Sequence, residues 1–125
     1  MIIKYFLVVV ITGMLTAPLA IAKAPENVYR EMVVEATAYS STFDQTDDTP
    51  FIAANGTFVH DGVVAANFLP FGTKIKIPGV FGEKVFTVED RMHRRFKQRI
   101  DVWFPDRESA LKFGYKILKV QILEI

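Results

Sequence analysis

Short stretches in which hydrophobic and polar residues alternate recur along this chain and predict β-strands. Between Tyr29 and Ser40, the even positions from Met32 to Ala38 are all apolar, so we expect them to share one face of a strand. Residues 74–77 alternate in the same way. Residues 85–88 and 100–104 are rich in β-branched and aromatic side chains, which pleated strands favour.

Two less regular segments lie between these strands. Residues 57–59 predict a short strand, and residues 60–62 predict a hairpin-type turn after it. Residues 63–66, Val-Val-Ala-Ala, are small and apolar, which suits a crowded interior strand. Residues 78 and 79, Pro-Gly, are expected to end the strand before them.

Near the end of the chain the pattern changes from strand to helix and back. Asp106 is expected to cap a helix of one or two turns over residues 107–113, and Gly114 is the expected C-terminal stop. The second half of residues 115–125 alternates and predicts a closing strand. About six or seven short strands with one short helix before the last strand indicate an all-β domain, a small barrel or sandwich.

The first 22 residues have the composition of a secretory signal peptide. Lys4 gives a positive start, residues 5–15 are mostly apolar, Pro18 breaks the run, and residues 20–22 (Ala-Ile-Ala) have the small-x-small form of a cleavage site. A permanent anchor is the alternative, but the apolar run is short for a membrane span. We expect a signal peptide over 1–22, a linker over 23–28 and one domain over 29–125. The processed protein would work in the periplasm, cell wall or extracellular space.

Composition narrows the expected chemistry. The chain of 125 residues has no cysteine, and therefore no disulfide, thiolate nucleophile or cysteine metal site. Without residues 1–22 it carries 14 basic and 14 acidic residues, whereas a nucleic-acid-binding domain is usually more basic. We expect neither a nucleic-acid partner nor a cofactor. Cell-wall polymers, small solutes and other exported proteins are the expected partners.

Two aspartates flank the most unusual segment. Asp90 and Asp101 lie at the inner edges of two predicted strands, where a carboxylate is often held rigidly at a cleft. The alternative is that both cap turns or pair with nearby arginines. Five of residues 91–99 are Lys or Arg, which favours internal charge balance together with contacts to an anionic substrate. Arginines hold a carboxylate in its charged form, so a general acid here would need burial to keep its proton.

Other candidate sites have weaker patterns. His60 and His93 lack metal-ligand spacing and are interpreted as loop residues, so no metal site is predicted. Asp44, Asp47 and Asp48 lack the glycine and closing glutamate of a calcium loop, which favours loop capping.

Seven segments of the chain, taken in order, carry a resemblance to a known family. They are residues 37–40, 46–50, 56–57, 64–73, 88–90, 99–104 and 110–114. These segments resemble the motifs of the 3D (three-aspartate) domain, which occurs in membrane-bound lytic transglycosylase A and in stationary-phase survival proteins related to resuscitation-promoting factors. The resemblance covers about residues 33–125, and the ordered set of segments is specific, whereas single segments are not.

The resemblance implies a double-psi β-barrel that cleaves the β-1,4 bond between N-acetylmuramic acid and N-acetylglucosamine. In that chemistry one acid protonates the leaving oxygen and then helps the muramyl 6-hydroxyl attack the anomeric carbon. Asp101 matches the catalytic acid and Asp90 the aspartate that supports it. Asn67, Tyr39, Thr49 and Arg99 are the expected substrate-binding residues. Tyr39, Phe71 and Trp103 would stack on sugars or pack in the core, and core packing is favoured for Trp103.

The chain also departs from the family pattern and resembles a divergent member. Asn67 stands where the family has its first aspartate, and Ala53 stands where it commonly has threonine. The glycine-rich run after the second aspartate is replaced by residues 91–97, Arg-Met-His-Arg-Arg-Phe-Lys. Two hypotheses follow: a lytic transglycosylase-like enzyme, and a barrel that binds peptidoglycan or another protein without cleaving it. Retention of Asp90 and Asp101 favours the enzyme, whereas Asn67 and the changed loop favour binding.

Overall fold

The computed structural model describes residues 28–41 and 51–123 of the chain. In these residues it has six strands and two short helices. The strands are β1 (Val28–Tyr39), β2 (Val63–Ala66), β3 (Lys74–Lys76), β4 (Val85–Asp90), β5 (Arg99–Trp103) and β6 (Lys116–Leu123). The helices are α1 (Pro78–Phe81) and α2 (Arg107–Phe113).

The six strands close into a barrel with the order β1-β5-β2-β4-β3-β6. Two neighbouring pairs, β1–β5 and β2–β4, are parallel, and the other pairs are antiparallel. The predicted small β-barrel with one short helix before its last strand is confirmed. Closure leaves every strand paired on both sides, so the barrel has no open edge.

The alternation of the sequence explains which side chains fill the barrel. In β5, Ile100 and Val102 are buried, whereas Arg99, Asp101 and Trp103 between and beside them are only partly buried. All four residues of β2 are buried, as expected for a run of small apolar residues. The apolar interior positions from all six strands form one core together with residues of the loops and α2. They include Val34, Ala36, Val64, Ala66, Ile75, Phe86, Val88, Ile100, Val102, Phe113, Val120 and Ile122.

Local signals explain the boundaries of α2. Oδ1 of Asp106 accepts a hydrogen bond of 2.7 Å from the backbone N–H of Ser109, which satisfies a free donor of the first turn. Gly114 ends the helix with a φ of 66°, a conformation that glycine adopts without strain. The predicted cap, helix and stop are all confirmed.

The structure corrects two local predictions. Residues 57–59 do not form a strand but one isolated bridge, between Phe58 and Ile52. The turn before β2 is not a hairpin, because β2 pairs with β4 and β5 rather than with the segment preceding it. Residues 78 and 79 end β3 as expected, but they also open α1, which has Pro at its first turn. Phe81 of α1 then packs on Phe86 with ring centroids 4.9 Å apart.

The N-terminal predictions lie mostly outside the described residues. The signal peptide over 1–22 and residues 23–27 of the linker are in this category, while Val28 already belongs to β1. Neither described helix is long and apolar enough to cross a membrane.

The core predicts a strong contrast between two phenylalanines. Phe86 is 1% exposed and Phe58 is 73% exposed. Phe86→Ala should lower the free energy of unfolding by about 3–5 kcal/mol, because it removes the ring and leaves a cavity. Phe58→Ala, the matched control, should change it by no more than about 0.5 kcal/mol. Urea denaturation followed by circular dichroism measures both, and equal losses would contradict the assigned core.

Candidate active site

Four residues form a row across the outer face of the barrel, one from each of four neighbouring strands. Asp101 of β5 pairs with Thr37 of β1 on one side and with Ala65 of β2 on the other. Ala65 in turn pairs with Asp90 of β4. Laterally paired residues point to the same face of a sheet, and neighbouring strands lie about 4.8 Å apart. The two aspartates therefore share a face with only a methyl side chain between them.

A β-bulge brings Asp90 into this row. Val64 pairs with Val88, but the next residue, Ala65, pairs with Asp90 instead of Glu89. Because side chains alternate along a strand, regular pairing would direct Asp90 to the same face as Val88, into the core. An extra residue in one strand re-aims the side chains that follow it. The bulge thus turns Asp90 to the outer face.

The surroundings of Asp101 favour its protonated form. Oγ1 of Thr37 donates a hydrogen bond of 3.0 Å to Oδ1 of Asp101. Burial raises the pKa of the Asp101 carboxyl to about 6, and the charge of Asp90 contributes to the rise, whereas Thr37 and Arg99 act in the opposite direction. Desolvation of Asp101 therefore affects its pKa more than the charge of Arg99 does. The sequence alone did not decide between these two effects. An acid with this pKa can both give and take a proton near pH 6.

Asp90 is held by hydrogen bonds from three parts of the chain. The hydroxyl of Tyr39 donates to Oδ2 at 2.7 Å. The backbone N–H groups of Ala54 and Arg91 each donate to Oδ1 at 2.9 Å. Both oxygens of the carboxylate are therefore engaged by the protein. This arrangement suits a residue that positions and polarises its surroundings rather than one that transfers a proton.

Tyr39 and Trp103 are neighbours across β1 and β5, with different surroundings. Tyr39 is 6% exposed, and burial, with a contribution from Asp90, raises its pKa, so its hydroxyl stays a neutral donor. Its ring is almost entirely covered, and its hydroxyl holds Asp90 in place. Trp103 lies outside the core, partly exposed, and its Nε1 donates to Oγ of Ser41 at 2.9 Å.

Arg99, another expected substrate-binding residue, makes its contacts within the protein. Nη2 of Arg99 lies 3.2 Å from Oε1 of Glu35, and its guanidinium stacks on Phe96 at 4.3 Å from the ring centroid. Arg99 therefore acts on Asp101 through its charge while its hydrogen bonds go to Glu35. Thr49 lies outside the described residues.

Asn67 clamps the basic loop, which we define as residues 91–98. Its Nδ2 donates to the backbone carbonyls of His93 at 2.9 Å and Phe96 at 3.2 Å. Its Oδ1 accepts from the backbone N–H of Met92 at 2.9 Å. An aspartate has no hydrogen to donate to the two carbonyls. The amide at this position is thus matched to the loop that it holds.

Arg91 secures the start of the same loop. Its Nη1 donates to the carbonyl oxygens of Ala66 at 2.6 Å and Leu69 at 3.0 Å. Its guanidinium lies 3.8 Å from the ring centroid of Phe71, a cation–π contact. Phe71 is therefore covered by Arg91 on one face. Arg91 therefore stabilises the fold itself.

A second group of contacts, which the sequence did not reveal, anchors residues 51–61 beside Asp90. Thr57 Oγ1 donates to Oε1 of Glu89 at 2.7 Å, and Nε2 of His60 lies 3.3 Å from Oε2. The backbone N–H of Asn55 donates to the carbonyl of Glu89 at 3.1 Å. The only sequence signal was the Asn-Gly turn at residues 55 and 56, which does not reveal the partner. Thr37 was also missed as a partner of Asp101, although its alternation with Tyr39 placed both on one face.

Both histidines belong to these loop contacts. His60 pairs with Glu89, and Nδ1 of His93 accepts from the backbone N–H of Arg95 at 3.1 Å. Within residues 28–41 and 51–123, no group of three or more His, Asp or Glu side chains is close enough to hold a metal ion.

Replacing Asn67 by Asp tests the loop clamp. Asn67→Asp should lower the free energy of unfolding by about 1–3 kcal/mol, because two carbonyls lose their donor and face a carboxylate. Asn55→Asp is the matched control, because Asn55 uses its Oδ1 to accept from the backbone N–H of Thr57, which an aspartate can also do. Because the backbone N–H of Thr57 can donate to an aspartate oxygen as it does to Oδ1 of Asn55, this variant should change stability by no more than about 0.5 kcal/mol. Urea denaturation compares the two, and a stable Asn67→Asp protein would refute the clamp.

The Thr37→Val variant tests the pKa of Asp101. In the parent protein the carboxyl should titrate near pH 6, as NMR of its side-chain carbon can measure. Removing the hydroxyl removes an effect that lowers this pKa, so the midpoint should move upward. Asp106, whose pKa is lowered by hydrogen bonds from Ser109, serves as the internal control and should not move. A midpoint for Asp101 that falls in the variant would contradict the assigned hydrogen bond.

A scan of the chain against protein-family models finds no matching family, and a search of curated proteins finds no match. Assignment of a function therefore rests on the geometry of the site and on the resemblance of the motifs.

Proposed function

We propose that this protein is an exported peptidoglycan-remodelling enzyme, which cleaves the muramyl–glucosaminyl bond in the manner of a lytic transglycosylase. Asp101 is the acid and base, and Asp90 supports it from the neighbouring part of the row. Peptidoglycan glycan strands are the substrate, and no cofactor takes part. The observation that carries the proposal is the pair of aspartates on one outer face of the barrel, with Asp101 having a pKa of about 6.

The proposed reaction needs one group that changes protonation state twice. The carboxyl of Asp101 gives its proton to the glycosidic oxygen as the bond from that oxygen to the anomeric carbon breaks. The resulting carboxylate then takes the proton of the muramyl 6-hydroxyl, whose oxygen forms a new bond to the anomeric carbon. The product is a 1,6-anhydro sugar, and Asp101 regains its proton. Because the substrate supplies the nucleophile, a second catalytic carboxylate is not needed.

The division of labour between the two aspartates supports this scheme. Asp101 accepts one hydrogen bond, from Thr37, and its pKa stays raised because burial outweighs the effect of this bond. Asp90 accepts three hydrogen bonds, which fix its position. Ala65, which lies between them in the row, has only a methyl side chain and is 2% exposed. Burial makes the carboxyl a better acid near neutral pH than an exposed aspartate would be.

A non-catalytic barrel that binds peptidoglycan or another wall protein is the second candidate. Its support is the fate of Asn67, whose amide is fully used in holding the basic loop. That position carries no charge to raise the pKa of Asp101 further. In this candidate the polar members of the row would form hydrogen bonds with a glycan that the protein binds and does not cleave.

Digestion of purified peptidoglycan with residues 23–125 separates the two candidates. The parent protein should release anhydro-muropeptides that mass spectrometry detects. Asp101→Asn should release at least about 100-fold less, which is the usual loss of rate when a general acid is removed. Asp61→Asn is the control for loss of an acid, because Asp61 is exposed and pairs with Lys84. It should retain full activity.

The pH profile adds an independent criterion. The first step requires protonated Asp101, so kcat/KM should fall as the pH rises above about 6, and in Thr37→Val the fall should begin at a higher pH. Binding to peptidoglycan by both parent and Asp101→Asn, with no fragments from either, would instead establish the binding module.

A further inference from the structure

We propose that the groove under the basic loop binds carboxylates carried by peptidoglycan, through Arg94 and Lys97. The inference rests on the proposed function for its choice of polymer, and it adds a binding site separate from the two aspartates. The groove has a volume of about 600 Å³, and its apolar lining comes from Phe68, Met92 and Phe96. Arg94 and Lys97 line the same groove.

The five cations of residues 91–99 differ in their partners. Arg91 bonds to backbone carbonyls and Arg99 pairs with Glu35, so both are committed to the fold. Arg94 and Lys97 are exposed, and no carboxylate of the described residues lies within ion-pair distance of either. Like charges placed close together repel one another unless a counter-ion is present. An anionic ligand supplies that counter-ion.

The loop is also held in one shape before any ligand arrives. Asn67 fixes it through three hydrogen bonds, and the guanidinium groups of Arg95 and Arg99 pack on the ring of Phe96 at 4.7 and 4.3 Å from its centroid. A preformed site loses less conformational entropy on binding than a flexible one. A solvated basic tail would need none of these contacts.

The position of the groove indicates which ligand it would bind. Arg91 and Asn67 both line the groove. Arg91 directly follows Asp90 in the sequence, and Asn67 lies two residues after Ala65, so the groove adjoins the row of four residues on the side of β2 and β4. In peptidoglycan each muramyl residue bears a lactyl group, and this group carries a stem peptide with its own carboxylates. A glycan strand whose muramyl residue lies at Asp101 therefore brings anionic groups to the neighbouring surface. The apolar lining suits the aliphatic parts of the lactyl group and peptide.

Binding assays in the Asp101→Asn background test this site without any cleavage. The probes are intact peptidoglycan, peptidoglycan stripped of stem peptides by an amidase, and chitin, which has neither lactyl nor peptide carboxylates. Arg94→Gln/Lys97→Gln should bind intact peptidoglycan about three- to tenfold more weakly, the effect of losing two exposed ion pairs. Lys112→Gln/Lys119→Gln removes the same charge from exposed positions elsewhere and should bind as the parent does.

The pattern across probes identifies the source of the carboxylate. A defect on intact material alone assigns the groove to the carboxylates of the stem peptides. A defect on stripped glycan alone assigns it to the lactyl carboxylate, which is free only after the amidase has cleaved its amide bond, and an equal defect on both shows that the groove binds either carboxylate. Equal binding of parent and groove variant to intact peptidoglycan would overturn the proposal, as would an equal defect on chitin. Because cleavage plays no part here, a charge-dependent defect would stand even if Asp101 proved to have no catalytic role. High salt should weaken parent binding more than that of the groove variant.

Discussion

The three hydrogen bonds accepted by Asp90 are the contacts on which the arrangement of the site depends. They come from Tyr39 in β1, from Ala54 in the segment before β2, and from Arg91 at the start of the basic loop. These segments are far apart in sequence and have no common secondary structure. A hydrogen bond to a charged group contributes about 1.5–3 kcal/mol, so each segment stabilises the position of the others. One carboxylate thus organises a whole face of the barrel.

The bulge in β4 makes this possible at little cost to the core. Val88 keeps its place inside the barrel, while Asp90, two residues later, lies outside. Without the extra residue a carboxylate would enter the apolar interior, where burial of an unpaired charge is strongly unfavourable. Bulges next to functional sites commonly re-aim one side chain in this way. The same irregularity leaves Glu89 free to hold Thr57 and His60.

The basic loop and Asn67 form a matched pair. The loop directs two backbone carbonyls at position 67, and only a side chain that donates twice can satisfy them. The loop sequence and the amide must therefore change together: an aspartate would suit a loop that offers donors, and an asparagine suits this one. The loop thus explains in structural terms why an amide suits position 67.

Local chemistry accounts for what the sequence alone determined. The alternation in β1 and β5, the small apolar residues of β2 and the cap and stop of α2 each depend on residues close together in the chain. The class of fold and the short helix before the last strand followed from them. Asp90 and Asp101 could also be chosen as candidate site residues from the sequence, because both stand where predicted strands meet a charged segment.

The tertiary structure decided everything that depends on register between distant strands. The row that joins Thr37, Asp101 and Asp90 requires the pairing of four strands, and a shift of one residue would send its members to the opposite face. The burial that raises the pKa of Asp101 and the roles of Tyr39 and Asn67 as internal hydrogen-bond donors are likewise properties of the closed barrel. No local pattern encodes them, because their partners lie tens of residues away and only closure brings them together.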